Sequence, residues 1–318
     1  VTEDEELLAV KAAELYYESD KTQGEIAALL HVTRWKVGRL IAQAKERGFV
    51  RIEIVHPRAR RLPLERSLRE TFDLHDAVVV PALGEGDSDE LRRRVALAAA
   101  EYLSSVRPVP RTLGVSWGRT LHDVASQVKQ GWANGVNVVQ VNGGVSLNRR
   151  ASSAANTAVM LAQKASGSAT MLPSPAILER VETKRAIESD RTVAGVLELA
   201  RSASTYLFSA GVVEGSSVLV ESGYISAAYL AELRERGAIG DVLGRFVDAN
   251  GMPVDPDLDE RTIGIDLSDL RSATSAIAVI AGESKHDICR TVVTSGLCSV
   301  LVTDELTAEH LLDETLCV

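Results

Sequence analysis

From Asp76 onward the sequence repeats one pattern: a short, nearly uninterrupted apolar run, a glycine or polar turn, then a stretch with helical spacing. The runs are AVVVPA, RTLGVSWG, VNVVQVNGG, TYLFSAGVV, SAIAVIAG and SVLVTDE. A strand covered on one face alternates apolar and polar residues, whereas a run that is apolar throughout has to be covered on both. Helical periodicity fills the intervals, at roughly 87–106, 119–130, 152–166, 183–203, 226–236, 284–295 and 305–312. The pattern predicts an α/β domain, a doubly wound parallel sheet with helices on both faces, over residues 76–318.

The first quarter of the chain has a different texture. Residues 5–18 place Leu7, Leu8, Val10, Ala13, Leu15 and Tyr16 on one helical face. Residues 22–47, TQGEIAALLHVTRWKVGRLIAQAKER, then hold two short helical patterns separated by a tight break. With Gln23 as the first position of a helix-turn-helix, Ala27 is the fifth, where a small side chain lets two helices cross closely. Val32, Val37 and Leu40 fall at the tenth, fifteenth and eighteenth, where the helices share apolar contacts. Thr22 with Glu25 three residues on is a capping-box pattern, and Thr33 is an N-cap for the second helix. Arg34, Trp35, Lys36 and Arg39 then occupy its first turns, where a recognition helix meets base edges and phosphates. The turn residue is His31 where glycine is usual, which asks a non-glycine side chain for the left-handed conformation. Gly48 ends the helix. FVRIEIVH alternates at period two, as a strand does, and is expected to be a wing carrying Arg51. These features predict a winged helix-turn-helix over residues 1–56. Residues 57–75 read as a linker with a charge run and a helix opened by Pro63, which either connects the domains or pairs with a second subunit, or equally is a surface helix of the second domain.

Charge supports that division. The 318 residues carry a net charge of −9, which by itself argues against nucleic acid. Yet residues 31–62 hold nine basic side chains against two acidic ones, a local excess of seven that leaves the remainder at −16. A basic patch on an acidic body touches phosphates at one end only. The length also favours two domains over one core. Cys289, Cys298 and Cys317 have neither metal-type spacing nor even pairing and read as reduced thiols, and no run approaches a membrane span. A cytoplasmic protein without metal or cofactor is expected. Because the sequence begins at Val1, an initiator or short segment is expected before it.

Ligands of open α/β sheets bind beyond the carboxyl ends of the strands, and five loops qualify. In GVSWGRT, Ser116 and Thr120 offer hydroxyls, Arg119 offers charge, and the following helix aims its N–H groups at the loop, which makes a phosphate cradle. The loop is not GxGxxG and lacks the Gly-Lys-Ser/Thr of a nucleotide P-loop. A tight turn with no ligand explains it equally well. Asn142, Gly143, Gly144, Val145 and Ser146 form the second loop. The third, Gly211, Val212, Val213 and Glu214, is plainer and reads as well as a turn. The fourth, residues 237–246, carries Asp241, which can hold a sugar hydroxyl or cap a helix. The fifth places Lys285 where a helix opens, a counter-charge for a phosphate.

Taken in order, GVSWGRT, VVQVNGG, GAIGDVLGRFVDANG, RTIGIDL, AGESKHDI and VLVTDELTAEHLL resemble the SorC/DeoR-type sugar-binding transcriptional regulators. EIAALLHVTRWKVGRLIAQAKERGFVRIEI resembles their DNA-binding half, so the likeness spans nearly the whole chain. The resemblance implies an effector domain similar in fold to sugar-phosphate isomerases and deaminases, which senses a phosphorylated sugar and alters DNA affinity. It implies that Ser116, Trp117, Gly118, Arg119 and Thr120 form the phosphate loop, with Asn142, Gly143, Gly144, Asp241 and Lys285 near the effector. Members similar to the deoxyribose-phosphate regulators have lysine before the two glycines, able to form an imine; Asn142 cannot, so sensing here is expected to be non-covalent.

Three functions come into question for such a chain. The first is a regulator of carbohydrate or nucleoside-sugar catabolism, with double-stranded operator DNA and a phosphorylated sugar as partners, working as a homodimer or homotetramer. The second is the same regulator sensing an unphosphorylated sugar or polyol. The third, a sugar-phosphate isomerase or deaminase, lacks the clustered acids that would supply a general base, and fold alone does not fix chemistry.

Overall fold

A computed structural model of the chain describes residues 3–50, 60–82, 88–145, 156–215 and 217–313. The chain divides into two compact units, Val1–His56 and Pro57–Val318.

The first unit is built on three helices: α1 (Glu3–Tyr17), α2 (Gln23–Leu29) and α3 (Arg34–Glu46). Both expected caps form. The Glu25 N–H donates to the Thr22 Oγ1 at 3.4 Å and the Thr22 N–H to the Glu25 Oε2 at 2.8 Å. The Lys36 N–H donates to the Thr33 Oγ1 at 3.2 Å. His31 has φ +52°, the left-handed conformation the turn asks for, and Gly48, with φ +74°, follows the end of α3. Ala9, Ala12, Ile26, Val37, Leu40 and Ala44 make the core, with Ala27 and Val32 packed at its margin. The wing expected over residues 49–56, with Arg51, lies largely outside the described residues.

In the second unit the apolar runs of the sequence become strands of one parallel sheet. The strands are β1 (Asp76–Val80), β2 (Thr112–Val115), β3 (Asn137–Gln140), β4 (Ser168–Thr170), β5 (Thr205–Phe208), β9 (Ser275–Val279) and β10 (Val300–Asp304). Their order is β1-β10-β9-β5-β2-β3-β4, every neighbouring pair parallel. Alternate residues enter opposite layers. Tyr206 and Phe208 join the core packed by α14 (His286–Thr294) and α15 (Glu305–Asp313). Leu207 and Val115 join the one packed by α5 (Ser88–Ser105), α6 (Arg119–Gln127) and α7 (Thr157–Lys164). Two buried faces explain why these strands read as continuous apolar runs. Strand order runs outward from β2 through β3 to β4 in one direction, and from β5 through β9 to β10 in the other. The reversal between β2 and β5 opens a crevice at their carboxyl ends.

The structure corrects the sequence reading in several places. Residues 183–203 form two helices, α8 (Val181–Ser189) and α9 (Arg191–Arg201), because Asp190 caps the second, its Oδ1 accepting from the Thr192 N–H at 2.8 Å. Residues 237–246 hold no helix start. They form an antiparallel hairpin, β7 (Gly240–Val242) and β8 (Arg245–Val247), which adds to β6 (Ala210–Val212) as a second small sheet. Asp241 is therefore a strand residue rather than a helix cap. Pro63 does open a helix, α4 (Leu62–Phe72), which lies in the second unit. Glu65 fastens it there, accepting from the Val79 N–H at 2.9 Å and the Arg60 Nε at 2.7 Å.

Candidate functional site

The crevice between β2 and β5 holds a polar cavity of about 630 Å³, open mouth included. Its wall brings together Ser116, Trp117, Gly118, Arg119, Thr120, Asn142, Asp241 and Lys285 from loops that are distant in sequence. Gly118 is the N-cap of α6 and Arg119 its first residue, so the first N–H groups of that helix lie at the loop. Gly143 and Gly144 are not on the wall. They brace it from behind: the Trp117 Nε1 donates to the Gly143 carbonyl at 2.7 Å, and the Gly144 N–H to the Ser174 carbonyl at 2.7 Å. A Cβ at Gly143 would stand 2.2 Å from the Pro175 carbonyl oxygen, so this brace admits no side chain. With its N–H engaged, Trp117 offers the cavity its ring rather than a donor.

The hairpin carries Asp241 in. Its Oδ2 accepts from the Gly244 N–H at 3.1 Å, and it is 8% exposed. Burial pushes its carboxyl up to about 6, against the pull of the Gly244 N–H and of Lys285. The neighbouring strand has to leave room, since a Cβ at Gly211 would lie 1.9 Å from the Asp241 Oδ1. Lys285 ends a short 3₁₀ turn, Glu283–Lys285. Burial brings its ammonium down to about 8; Asp241 opposes that shift and the nearby Arg119 adds to it. Two cations therefore converge on the cavity. The loop before Lys285 is held by Asp304, a buried residue whose Oδ2 accepts from the Gly282 N–H at 2.8 Å and the Thr307 hydroxyl at 2.5 Å. Its Oδ1 accepts from the Thr307 N–H at 3.0 Å, capping α15.

The sequence reading missed Ser209, Ala210, Ser217, Val218 and Leu219 on the wall, and it left the Gly211 segment open between a ligand loop and a turn, where Gly211 and Val212 do line the cavity. Ser209 is the single residue between β5 and β6, the one position where the chain leaves the large sheet for the small one. Its place at a strand end was the available signal. Ser146 lies outside the described residues.

On the other unit, α3 presents Arg34, Trp35 and Arg39 to solvent, with Trp35 73% exposed. The Arg39 guanidinium lies 5.2 Å from the centre of the Trp35 ring, and Gln23, Gly38 and Ala42 complete a shallow groove beside them. Lys36 is half-buried and Thr33 serves as the cap. The groove is a cationic, aromatic face on a short helix.

An open parallel α/β domain with its polar cavity at the reversal of strand order belongs to the class of folds that take small ligands there. Comparison with known proteins narrows this. Residues 56–313 match the family described as "Putative sugar-binding domain". The chain is 32% identical over 311 residues to the deoxyribonucleoside regulator of Bacillus subtilis, covering 98% of this chain and 99% of that one. It is 28% identical over 317 residues to the erythritol catabolism regulatory protein EryD of Brucella abortus, covering 96% of each. Among solved structures, the full-length sorbitol operon regulator SorC of Klebsiella pneumoniae superposes with a TM-score of 0.73 at 27% identity, over 96% of this chain and 98% of that one. The chain belongs to the SorC/DeoR-type sugar-binding transcriptional regulators. These relatives are regulators rather than enzymes. Among the described residues no helix is long and apolar enough to cross a membrane.

Proposed function

We propose that the protein is an effector-responsive, DNA-binding regulator of carbohydrate or nucleoside-sugar catabolism, acting in the cytoplasm as a homodimer or homotetramer, and that its effector is a phosphorylated sugar held without a covalent bond. The observation that carries the effector reading is the convergence of Arg119, Lys285 and the start of α6 on one cavity. Guanidinium, ammonium and helix N–H groups together match the charge of a phosphate better than any neutral group. Asp241 sits where a sugar hydroxyl can donate to it. The α3 face, with Thr33, Arg34, Trp35, Lys36 and Arg39, is the counterpart for the major groove of operator DNA, and Arg51 on the expected wing is a phosphate contact. Residues 57–75 are the connection, and effector binding acts by favouring one arrangement of DNA-binding units over another.

A thermal-shift screen of sugars beside their phosphate esters tests this reading. A specific ester at one hundred times its dissociation constant stabilises the protein by about 2.7 kcal/mol. A response to the free sugar equal to that of its ester would remove the phosphate. The second reading, an unphosphorylated sugar or polyol, is favoured by the polyols in the names of the erythritol and sorbitol regulators and by the neutral side chains of Asn142, Ser116 and Thr120 on the wall.

A further inference from the structure

Asn142 is 1% exposed, yet neither its Nδ2 nor its Oδ1 has a hydrogen-bond partner among the described residues. The buried Oγ of Ser209, on the same cavity wall, has none either. Buried polar atoms are nearly always paired, and three unpaired ones around one cavity point to something that enters it. The asparagine is held firmly in this condition. Its own carbonyl accepts from the Gln140 Nε2 at 2.7 Å. On either side, the Val141 carbonyl accepts from the Ile265 N–H at 2.9 Å and the Gly143 N–H donates to the Ile263 carbonyl at 3.0 Å. A clamped backbone presents a dehydrated amide with both its donor and its acceptor open.

The chemistry of an amide restricts what can satisfy it. A phosphate or carboxylate oxygen can accept from Nδ2, but an ionised oxygen has no proton to give Oδ1. A hydroxyl group gives and takes at once, as does a pair of adjacent hydroxyls. The cations are less enclosed than the amide: Arg119 is exposed and Lys285 half-buried. We propose that Asn142 and Ser209 form a neutral subsite of the cavity that reads a hydroxyl of the effector, so that the protein binds polyhydroxylated carbon chains more tightly than inorganic phosphate. The proposal rests on the cavity being the effector site.

The test uses the full-length protein and isothermal titration with four probes: inorganic phosphate, ribitol, ribitol 5-phosphate and ribose 5-phosphate. Asn142→Leu, of similar size but without polar atoms, is expected to weaken every hydroxylated probe that binds by about tenfold or more. It is expected to leave affinity for inorganic phosphate within about twofold and to raise the melting temperature of the ligand-free protein, because an unpaired buried amide is gone. Ser209→Ala is expected to weaken the same probes by a smaller factor, and carries the test if the leucine variant does not fold. Equal affinities for wild type and both variants overturn the proposal and assign the open amide to a buried water. Binding of inorganic phosphate alone overturns it while the anion site of Arg119 and Lys285 stands. Binding of ribitol as tightly as its phosphate supports the subsite and removes the phosphate from the proposed function. Binding of no probe overturns both.

Discussion

The α3 face and the cavity between β2 and β5 are both polar, and they display polarity in opposite ways. On α3 the charged and aromatic side chains come from one six-residue stretch, and Arg34, Trp35 and Arg39 stand in solvent, where charge is retained without desolvation. The cavity gathers its groups from the ends of β2, β3 and β5, from a hairpin and from a 3₁₀ turn, and several are buried at a cost visible in the displaced ionisation of Asp241 and Lys285. An exposed array acts through a long-range field that salt weakens. A buried one acts through fit, and its polar groups destabilise the empty protein until a ligand meets them. The two regions should therefore separate under mutation: changes on α3 alter binding without altering stability, while changes in the cavity alter both.

The largest expected effect breaks the α3 side of that contrast. Arg34→Ala with Arg39→Ala should weaken operator binding by about 2–6 kcal/mol, thirtyfold or more, while the melting temperature and the thermal response to effector stay put. Gel-shift titration beside a thermal scan reads both, and unchanged operator affinity would move the interface off α3. Next comes Asp241→Asn. A carboxyl whose folded pKa is raised to about 6, from its ordinary 3.8, costs stability above pH 6 and nothing below about pH 4, where it is protonated folded or unfolded. The asparagine variant should thus be more stable than wild type by about 3 kcal/mol at pH 7, with the gap closing as pH falls from 6 to 4. A gap independent of pH would assign it to packing. Arg119→Ala should reduce affinity for an anionic effector by about 1.5–3 kcal/mol and spare DNA binding in the absence of effector. Because Lys285 loses its proton near pH 8, that affinity should also decline as pH rises through about 8. A flat profile from pH 7 to 9 would exclude Lys285 as the counter-charge. The smallest expected effect tests the turn before α3: His31→Gly relieves the left-handed strain and should stabilise the first unit by about 1 kcal/mol, measured by chemical denaturation.

How legible each region was follows from the same contrast. The helical unit was readable because its determinants are local: Thr22 with Glu25, Thr33, His31 and Gly48 each act within a few residues of themselves. The six long strands were readable because burial on both faces leaves an unbroken apolar run. β4 was not, since Ser168, Ala169 and Thr170 are largely exposed and strand-like only through pairing with β3. The β7–β8 hairpin was hidden by glycines that serve close packing, such as Gly240 against Ile288, rather than flexibility. In the cavity, Arg119, Asn142 and Lys285 announced themselves as polar residues at strand ends. Ser209 did not, because one serine after TYLF carries no motif, and its meaning depends on the small sheet that starts beside it.

Asp304 serves two masters. One carboxylate both starts α15 and moors the loop that presents Lys285, and α15 packs against α4, the helix with which the second unit begins. Any pull that a ligand exerts on the lysine loop is therefore also a pull on the cap of a helix leaning on the unit's point of entry. In mechanical terms the lysine loop and the unit's first helix share a rivet, and loosening it would slacken both ends at once.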